Sequence, residues 1–497
     1  MRARPILVLL CLLLAEASTR TQSAPAPYSD STVLPHTQAY ARARELVELF
    51  DKGDAAAFEA YARTAFAGPF LDALPMAEHR AAFLDFWRDN GPLQVHGARS
   101  YDPPRPDTAA TLVVWSTWLE AWRAIVLEVD GDGKIARLQF SQARRPSDLP
   151  KAEALTDAQV AERVAGFVDR LAARDAFSGT VLLAKEGRVL LTKAIGIANR
   201  DFDVPVTLDT KFNLGSMNKM MTAVACMQLV EQGKLALDDP VAKYLGEDWL
   251  PKVDKSKVEV RHLLTHTSGL GSYFTAEFDR SSRALYRTVD DWKPLVRDET
   301  LAFEPGTRWQ YSNTGMLIAG AVVEKASGTD YYSYIRAHVT GPAGMTNTDC
   351  YETDQANRKL AVGYDKEVGA DGAVIWRNNL YLHVVRGGPA GGGYSTVEDL
   401  FRFDQALRAQ KLVQRGSLDQ LWRTYPELSS NGYGLGFFVE QSPVGAIVGH
   451  SGGFNGISAV LSMYLDAGYT IAVMCNLGGG AATIVEGKAR ELIASGR

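Results

Sequence analysis

Between Phe212 and Leu235 the chain reads FNLGSMNKMMTAVACMQLVEQGKL, and from Met217 to Val230 apolar residues fall on nearly every face of a helix. No Gly or Pro interrupts this run until Gly233 stops it. A helix that is apolar all round belongs inside a protein, so the chain has to build a large domain around it. The helix opens with the only Ser-x-x-Lys spacing in the sequence, Ser216 and Lys219. Residues three apart share a helix face, which sets the hydroxyl beside the ammonium. A helix start also offers free backbone N–H groups and the positive end of the dipole, both suited to developing negative charge. A lysine in apolar surroundings gives up its proton readily and can act as base for the serine. A solvated Ser near a surface Lys has the same spacing, so the rest of the chain must supply the other groups a nucleophile needs.

At 497 residues the chain is too long for one compact core, and two domains are expected. The net charge is −5 and no Lys/Arg-rich run appears, which argues against nucleic acid or an anionic membrane surface as partner. Arg2 and Arg4 precede the apolar stretch Ile6–Leu14 and the small-x-small site Ala15-Glu16-Ala17. This is the pattern of a secretory signal peptide over residues 1–17, too short to span a bilayer, so a secreted or periplasmic protein is expected. No other stretch of 18 apolar residues exists, and stable membrane insertion is not expected. Of the four cysteines Cys11 lies in the expected signal peptide; the remaining Cys226, Cys350 and Cys475 are an odd, sparse set rather than a disulfide framework, and Cys226 and Cys475 sit in apolar runs as buried thiols.

Residues 18–35 are Ser-, Thr- and Pro-rich and read as a flexible lead. Helical periodicity runs from about Thr37 to Asn90, with Leu46, Val47, Leu49 and Phe50 on one face. From Leu93 to Arg144 the period changes to that of strands, and Asp130-Gly131-Asp132-Gly133 is a hairpin turn between the last two. That turn lacks the later glutamate of a calcium loop. Residues 36–145 thus form a small α+β accessory domain, and helices followed by a curved antiparallel sheet resemble the nuclear-transport-factor-like cone fold in pattern alone. His79 and His96 are lone histidines that read as structural. The Pro-containing stretch 146–155 is the linker. Beyond it, Thr156 and Gln159 form a capping box for a helix to about Ala173. A hairpin follows (178–185 and 188–196), then the nucleophile helix, then an irregular and helical middle from Asp239 to about Leu412. Strands return at 433–441, 445–453, 456–466 and 469–476, and a helix closes the chain at about 481–495. Strands at both ends with helices between imply one antiparallel sheet flanked by terminal helices, with a helical region inserted: an α+β domain over 156–497.

Two downstream stretches suit the nucleophile. Tyr311-Ser312-Asn313 follows a Pro-Gly turn in a loop; a phenol near an ammonium can share its proton, and Asn offers both a donor and an acceptor to an amide or ester. His450-Ser451-Gly452-Gly453 lies along a strand whose glycines let a substrate backbone approach. A backbone N–H there, with that of Ser216, makes a two-donor oxyanion hole.

In combination these motifs resemble the serine β-lactamase and penicillin-binding-protein superfamily, in its class C type with esterase and D-peptidase relatives. The resemblance spans Thr156–Arg497 and extends to HLLTHTSGL (262–270), FEPGTRWQYSN (303–313) and GGPAGGGYSTVEDL (387–400). It implies Ser216 as acylated nucleophile and Lys219 as its base. Tyr311 is then the relay that passes the proton to the leaving group and helps activate the deacylating water. It further implies Asn313 on the substrate amide, His450, Ser451 and Gly452 along the substrate-binding strand, and the N–H groups of Ser216 and Gly453 on the oxyanion. His450 departs from the family's lysine, so a permanent cation for a substrate carboxylate is missing, unless the histidine is protonated near neutral pH.

Other readings are weaker. Gly449-His450-Ser451-Gly452-Gly453 also fits the G-x-S-x-G elbow of α/β-hydrolases, but a strand follows where a helix is required and none of the eight histidines lies beyond 450. His262 and His266 are four apart, yet no glutamate follows His262 and no third ligand appears. The glycines of 387–393 lack the Gly-Lys-Ser/Thr of a phosphate loop and read as a tight turn beside the site. The expectation is therefore a serine hydrolase acting on a small-molecule or peptide-like acyl substrate, an ester or an amide, with neither metal nor cofactor. A β-lactamase or D-Ala-D-Ala carboxypeptidase is the first alternative, and a non-catalytic wall-binding or assembly protein on the same scaffold the second. No motif speaks to the oligomeric state.

Overall fold

In the computed structural model of the protein, residues 27–150, 152–369 and 371–496 are described; the expected signal peptide, residues 1–17, lies outside them. The N-terminal part contains β1 (Tyr28–Ser31), α1 (Gln38–Lys52), α2 (Ala55–Ala65), α3 (Met76–Asn90), β2 (Leu93–Tyr101), β3 (Ala109–Ser116), β4 (Ala121–Val129) and β5 (Ile135–Gln142). Thr37 caps α1 by accepting from the Tyr40 N–H, and Gly53 ends it in the left-handed conformation at φ 61°. The buried residues of α1 (Ala39, Tyr40, Ala43, Leu46, Val47 and Phe50) recur with the helical period and lie on the sheet. The strands pair antiparallel in the order β1-β2-β3-β4-β5. Their core is aromatic, with Phe58 on Phe83 at 4.4 Å and Phe86 on Phe140 at 4.0 Å between ring centroids.

The flexible lead expected over residues 18–35 needs correction where the structure describes it. Tyr28–Ser31 is a strand, registered on residues 98–101 of β2. Asp30 anchors it: its carboxylate accepts from Arg99 Nε at 2.8 Å, Arg99 Nη2 at 3.0 Å and the Ser147 N–H at 2.9 Å. Local composition misses this because the strand owes its existence to an open sheet edge and a buried ion pair distant in sequence.

The larger part begins at α4 (Asp157–Ala172), whose Thr156/Gln159 capping box forms as expected. It continues with β6 (Gly179–Lys185), β7 (Arg188–Ile195), α5 (Asn218–Glu231), α6 (Asn313–Ser327), β8 (Tyr364–Val368), β9 (Val374–Asn378) and α7 (Val397–Arg408). The last elements are β10 (Phe438–Ser442), β11 (Gly445–Phe454), β12 (Ile457–Tyr464), β13 (Tyr469–Cys475) and α8 (Ala481–Ile493). A six-stranded antiparallel sheet runs β10-β11-β12-β13-β6-β7, joining strands from both ends of the part. Its central strands are apolar on both faces. Val181, Leu183, Val460, Ile471 and Val473 pack with α4 and α8. Leu182, Ala184, Leu461, Ala472 and Met474 face the helical region around α5 and α6. Period-two alternation thus divides one sheet between two cores. Every residue of α5 from Asn218 to Leu229 is buried, as an all-round apolar helix requires.

One strand is shorter than expected. Regular pairing begins at Phe438 rather than Tyr433, because Gly434 and Gly436 turn the chain against the carbonyls of Leu421 and Lys219. The two parts also share packing: Leu119 and Ala121, at the β3–β4 turn, belong to the core under α4 and α8. Polar contacts join α3 to the β8–β9 hairpin, with Lys366 on Asp89 at 2.5 Å and Arg88 donating to the Gly372 carbonyl at 2.6 Å.

Candidate active site

Ser216 stands in a single 3-10 turn, Gly215–Met217, that leads into α5. Gly215 makes the turn possible: it adopts φ +50°, and a Cβ there would lie 2.8 Å from the Gly453 nitrogen. Across from it, a Cβ at Gly452 would lie 1.9 Å from the Leu214 carbonyl oxygen and 3.0 Å from the Ser216 nitrogen. Only glycine lets strand β11 and the nucleophile turn approach this closely. β10 pairs with β11 as far as Phe438 opposite Gly449, whereas β12 pairs along the whole stretch to Phe454. From His450 to Phe454 the β11 edge facing Ser216 is therefore free of a neighbouring strand, and Gly453 is exposed on it.

One turn beyond Ser216, the Lys219 side chain is fully buried. Its Nζ donates to Asn313 Oδ1 at 2.9 Å and to the Ala390 carbonyl at 2.5 Å, and sits 4.8 Å from the centre of the Tyr311 ring. These partners are neutral oxygens and a ring face; burial alone drives the ammonium well below its ordinary pKa. The Gly-rich turn 387–393 supplies the carbonyl. It is held on the helix start by Asn218, which donates to the Gly388 carbonyl and accepts from the Gly393 N–H, each at 3.1 Å.

Tyr311 and Asn313 flank Ser312, which caps α6 by accepting from the Gly315 N–H at 2.7 Å. The cap fixes the phenol and the amide at the mouth of one helix, against the mouth of another. The Tyr311 hydroxyl pairs with Ser216, and burial pushes its pKa upward. Ser216, Tyr311 and Asn313 are each half-buried and so open to a ligand. The Asn313 Nδ2 donates to Ser272 Oγ at 3.2 Å, leaving the amide oriented between that loop and Lys219. Ser216, Lys219, Tyr311, Asn313 and the Gly452–Gly453 edge therefore converge on one place.

His450 converges differently. Its ring is 3 % exposed, turned into the core beside Phe438 and Tyr433. Nδ1 lies 2.6 Å from the Ser451 carbonyl, which can only accept, so the proton is on Nδ1. Nε2 then accepts from the Tyr433 hydroxyl at 2.9 Å. Burial, reinforced by Lys219, lowers its pKa to about 3. The option left open for His450, that it serves the substrate as a cation near neutral pH, does not fit this placement: the ring is interior and its two nitrogens are engaged by Ser451 and Tyr433. The exposed groups of this motif are the backbone and Ser451, which is half-buried.

His266 completes the cluster and has the opposite tautomer. It is fully buried, and its Nδ1 accepts from the Ser312 N–H at 3.2 Å, which puts its proton on Nε2. The ring lies between Tyr311 and Tyr433, at 4.4 and 4.5 Å between centroids. His262 likewise uses Nδ1 to accept from the Glu259 N–H. Among the described residues no group of three or more His, Cys, Asp or Glu is placed to hold a metal ion. Nor, among the described residues, is any helix long and apolar enough to cross a membrane.

Comparison with known proteins identifies the family. A family model described as Beta-lactamase matches residues 160–494. The chain belongs to the β-lactamase family. Penicillin-binding protein 4* of Bacillus subtilis (strain 168) is 33% identical over 327 residues, covering 62% of this chain and 70% of that protein. Esterase EstB of Burkholderia gladioli is 33% identical over 292 residues, 52% of this chain and 73% of the esterase. The crystal structure of a penicillin-binding protein from Bacillus halodurans superposes with a TM-score of 0.58 at 30% identity, over 64% of this chain and 97% of that one. This β-lactamase-family member is thereby a serine-hydrolase-superfamily protein, with an esterase among its relatives. Sequence reasoning about it missed His266 and Tyr433 as supports of Tyr311. The phrase HLLTHTSGL was a signal for the first, but its histidine acts through a backbone N–H that no spacing reveals.

Proposed function

We propose that this protein is a secreted or periplasmic serine hydrolase of esters or uncharged amides, acting through an acyl-enzyme on Ser216. The observation that carries the reading is Lys219, buried with no carboxylate partner among the described residues, hydrogen-bonded to Asn313 and the Ala390 carbonyl, and 4.8 Å from the ring of Tyr311, whose hydroxyl pairs with Ser216. Burial that disfavours the ammonium favours the neutral amine, the form that can take a proton from the serine. Ser216 Oγ attacks the substrate carbonyl carbon while its proton passes to Lys219. The tetrahedral oxyanion lies toward the N–H groups of Ser216 and Gly453. As the bond to the leaving group breaks, Tyr311 hands that group a proton from Lys219, and Asn313 holds the acyl side. A water then gives a proton to the same pair and attacks the acyl carbon; the bond to Ser216 Oγ breaks, the proton passes to Oγ, and the acid leaves.

The neutral, interior His450 supports uncharged substrates, because the position offers no cation for a carboxylate. The decisive experiment is labelling by a fluorophosphonate with mass mapping, alongside release of nitrophenol from 4-nitrophenyl acetate. A mass increase on Ser216, and loss of both signals in Ser216→Ala with an unchanged circular dichroism spectrum, are expected. Turnover retained in Ser216→Ala overturns the reading. Nitrocefin hydrolysis comparable with ester hydrolysis would move the substrate class to β-lactams.

A further inference from the structure

The candidate site has an end that the catalytic groups leave unused. The Tyr311 ring lies 6.4 Å from the His450 ring, which places the proton relay, and hence the departing group, toward the His450 end of the free β11 edge. Phe454 is four residues along the strand from His450, roughly 13 Å away at the usual strand rise. Phe274 stacks on Phe454 with centroids 5.8 Å apart and ring planes 21° apart. Phe274 belongs to the loop that carries Ser272, the partner of Asn313. The stack therefore spans the cleft from the Asn313 wall to the Gly453 wall, at the end remote from the leaving group.

The features of this stack are those of a binding surface and not of loose side chains. Phe274 is 47% exposed, yet its ring is bedded on Tyr273 at 4.8 Å and Phe278 at 5.0 Å. The loop beneath is pinned by Glu299, which accepts from the Gly271 N–H and from the Thr314 hydroxyl. Phe454 is fixed from behind: Asp365 accepts from the Gly456 N–H at 2.8 Å and from Asn455 Nδ2 at 2.9 Å, and Asn379 donates to the Asn455 carbonyl at 2.8 Å. Asn379 also starts the segment that carries Leu380, Tyr381 and Leu382, exposed by 48%, 89% and 41%. Arg283, which joins that segment to the Phe278 loop, commits its guanidinium to the carbonyl oxygens of Phe278, Ser281 and Leu382. Large exposed apolar side chains on segments bonded to the wall of the cleft, with Nε and Nη1 of the nearby Arg283 already donated to carbonyl oxygens, suit an apolar group.

We infer that Phe274 and Phe454, with the Leu380–Leu382 rim, form the acyl-side subsite of this enzyme and select substrates with an aromatic or long aliphatic acyl group. The inference rests on the acyl-enzyme reading above and names the substrate class of that site. The test holds the leaving group constant and varies the acyl chain: 4-nitrophenyl acetate, hexanoate, phenylacetate and succinate monoester. The expected kcat/KM rises about tenfold or more from acetate to phenylacetate, as burying a few methylene equivalents in an apolar pocket allows, with succinate the poorest. In Phe274→Ala, and separately in Phe454→Ala, the phenylacetate-to-acetate ratio falls toward one, chiefly through KM, and Phe274→Leu restores much of it. A ratio unmoved by both Ala variants, or a wild-type preference for acetate or succinate, overturns the subsite while Ser216-dependent turnover leaves the reaction class standing. Independently of turnover, folded Ser216→Ala protein is titrated with phenylacetamide and acetamide by calorimetry. At least tenfold tighter binding of phenylacetamide, lost on adding Phe274→Ala, is expected, and equal affinities overturn the inference even if no ester is hydrolysed.

Discussion

Arg99 in the N-terminal part and Lys219 in the family-matched part are both withdrawn from solvent, and their partners differ in kind. The Arg99 guanidinium lies on the fully buried Asp30 carboxylate through two hydrogen bonds, stacks 4.0 Å over the Tyr28 ring, and donates to the Arg144 carbonyl. Charge meets charge, and the result is a rivet that fastens the edge strand and the chain beyond β5 to the sheet. Lys219 meets an amide oxygen, a carbonyl oxygen and the face of a phenol. Nothing there compensates a full positive charge, so the folded protein pushes the ammonium toward the neutral amine. A paired buried cation is a structural device; an unpaired one is a base waiting for a proton. The distinction lies in the neighbours, since both side chains are interior and both are hydrogen-bonded.

The contrast makes opposite claims for removal of the two cations. Lys219→Met is expected to lower kcat/KM by a factor of about 10² to 10⁴, the usual worth of a general base, without lowering the melting temperature. Methionine fills the same channel and brings no charge to desolvate. Ester hydrolysis near the wild-type rate breaks the comparison outright. Arg99→Met is expected to do the reverse. It strands the Asp30 carboxylate, and unfolding should become easier by about 3–5 kcal/mol for the cooperative unit containing the N-terminal sheet. Turnover per folded molecule should stay near wild type, because Arg99 touches no part of the cleft. Adding Asp30→Asn should recover much of the loss, and a denaturant titration of the three proteins decides it.

These outcomes also measure what the residues alone could tell. The apolar run around Lys219 was legible, because a helix hydrophobic on all faces has one destination and takes its lysine with it. The central strands were legible as short apolar runs bounded by turn residues, and Thr156 and Gln159 announced the helix they cap. Tyr28–Ser31 was not, since its strand pairs with an edge some seventy residues away and depends on Asp30 finding Arg99. The charge state of His450 was not legible either. Its neutrality follows from Tyr433 and Phe438, which reach it only through the turn at Gly434 and Gly436. Phe274 and Phe454 escaped because exposed aromatics far apart in sequence carry no pattern.

A smaller effect sharpens the comparison through stability against pH. The folded-state pKa of Lys219 is below its unfolded value near 10.5. Between those two values the unfolded chain holds a proton that the folded protein lacks, so stability rises with pH across that window. Below the folded pKa both states are protonated and the penalty is constant. The wild type should therefore gain on Lys219→Met as pH is raised from neutral toward 10, and the gain should cease above 10.5. Arg99→Met should show no such pH-dependent difference in this range. A flat difference for Lys219→Met means that its folded pKa is ordinary and that the base must be sought elsewhere.

The smallest expected effect separates Lys219 from the two histidines beside it. The acid limb of kcat/KM reports a group that must be deprotonated in the free enzyme. Three groups compete for that role, because Lys219, His266 and His450 lie in one buried cluster and each is held below its ordinary pKa. Burial, with Lys219 nearby, lowers the His450 pKa to about 3, so its ring is neutral near neutral pH, and its Nδ1 proton is held by the Ser451 carbonyl. Replacing it with another neutral hydrogen-bonding side chain should leave the limb where it is. His450→Gln is therefore expected to change the rate modestly, through the lost packing on Phe438, while the midpoint of the acid limb moves by less than about half a pH unit, since one pKa unit is 1.36 kcal/mol of differential interaction and no charge is removed. If His450→Gln abolishes or displaces the limb, then histidine is the titrating base, Lys219 remains a fixed cation, and the distinction drawn between the two buried cations fails at its functional end.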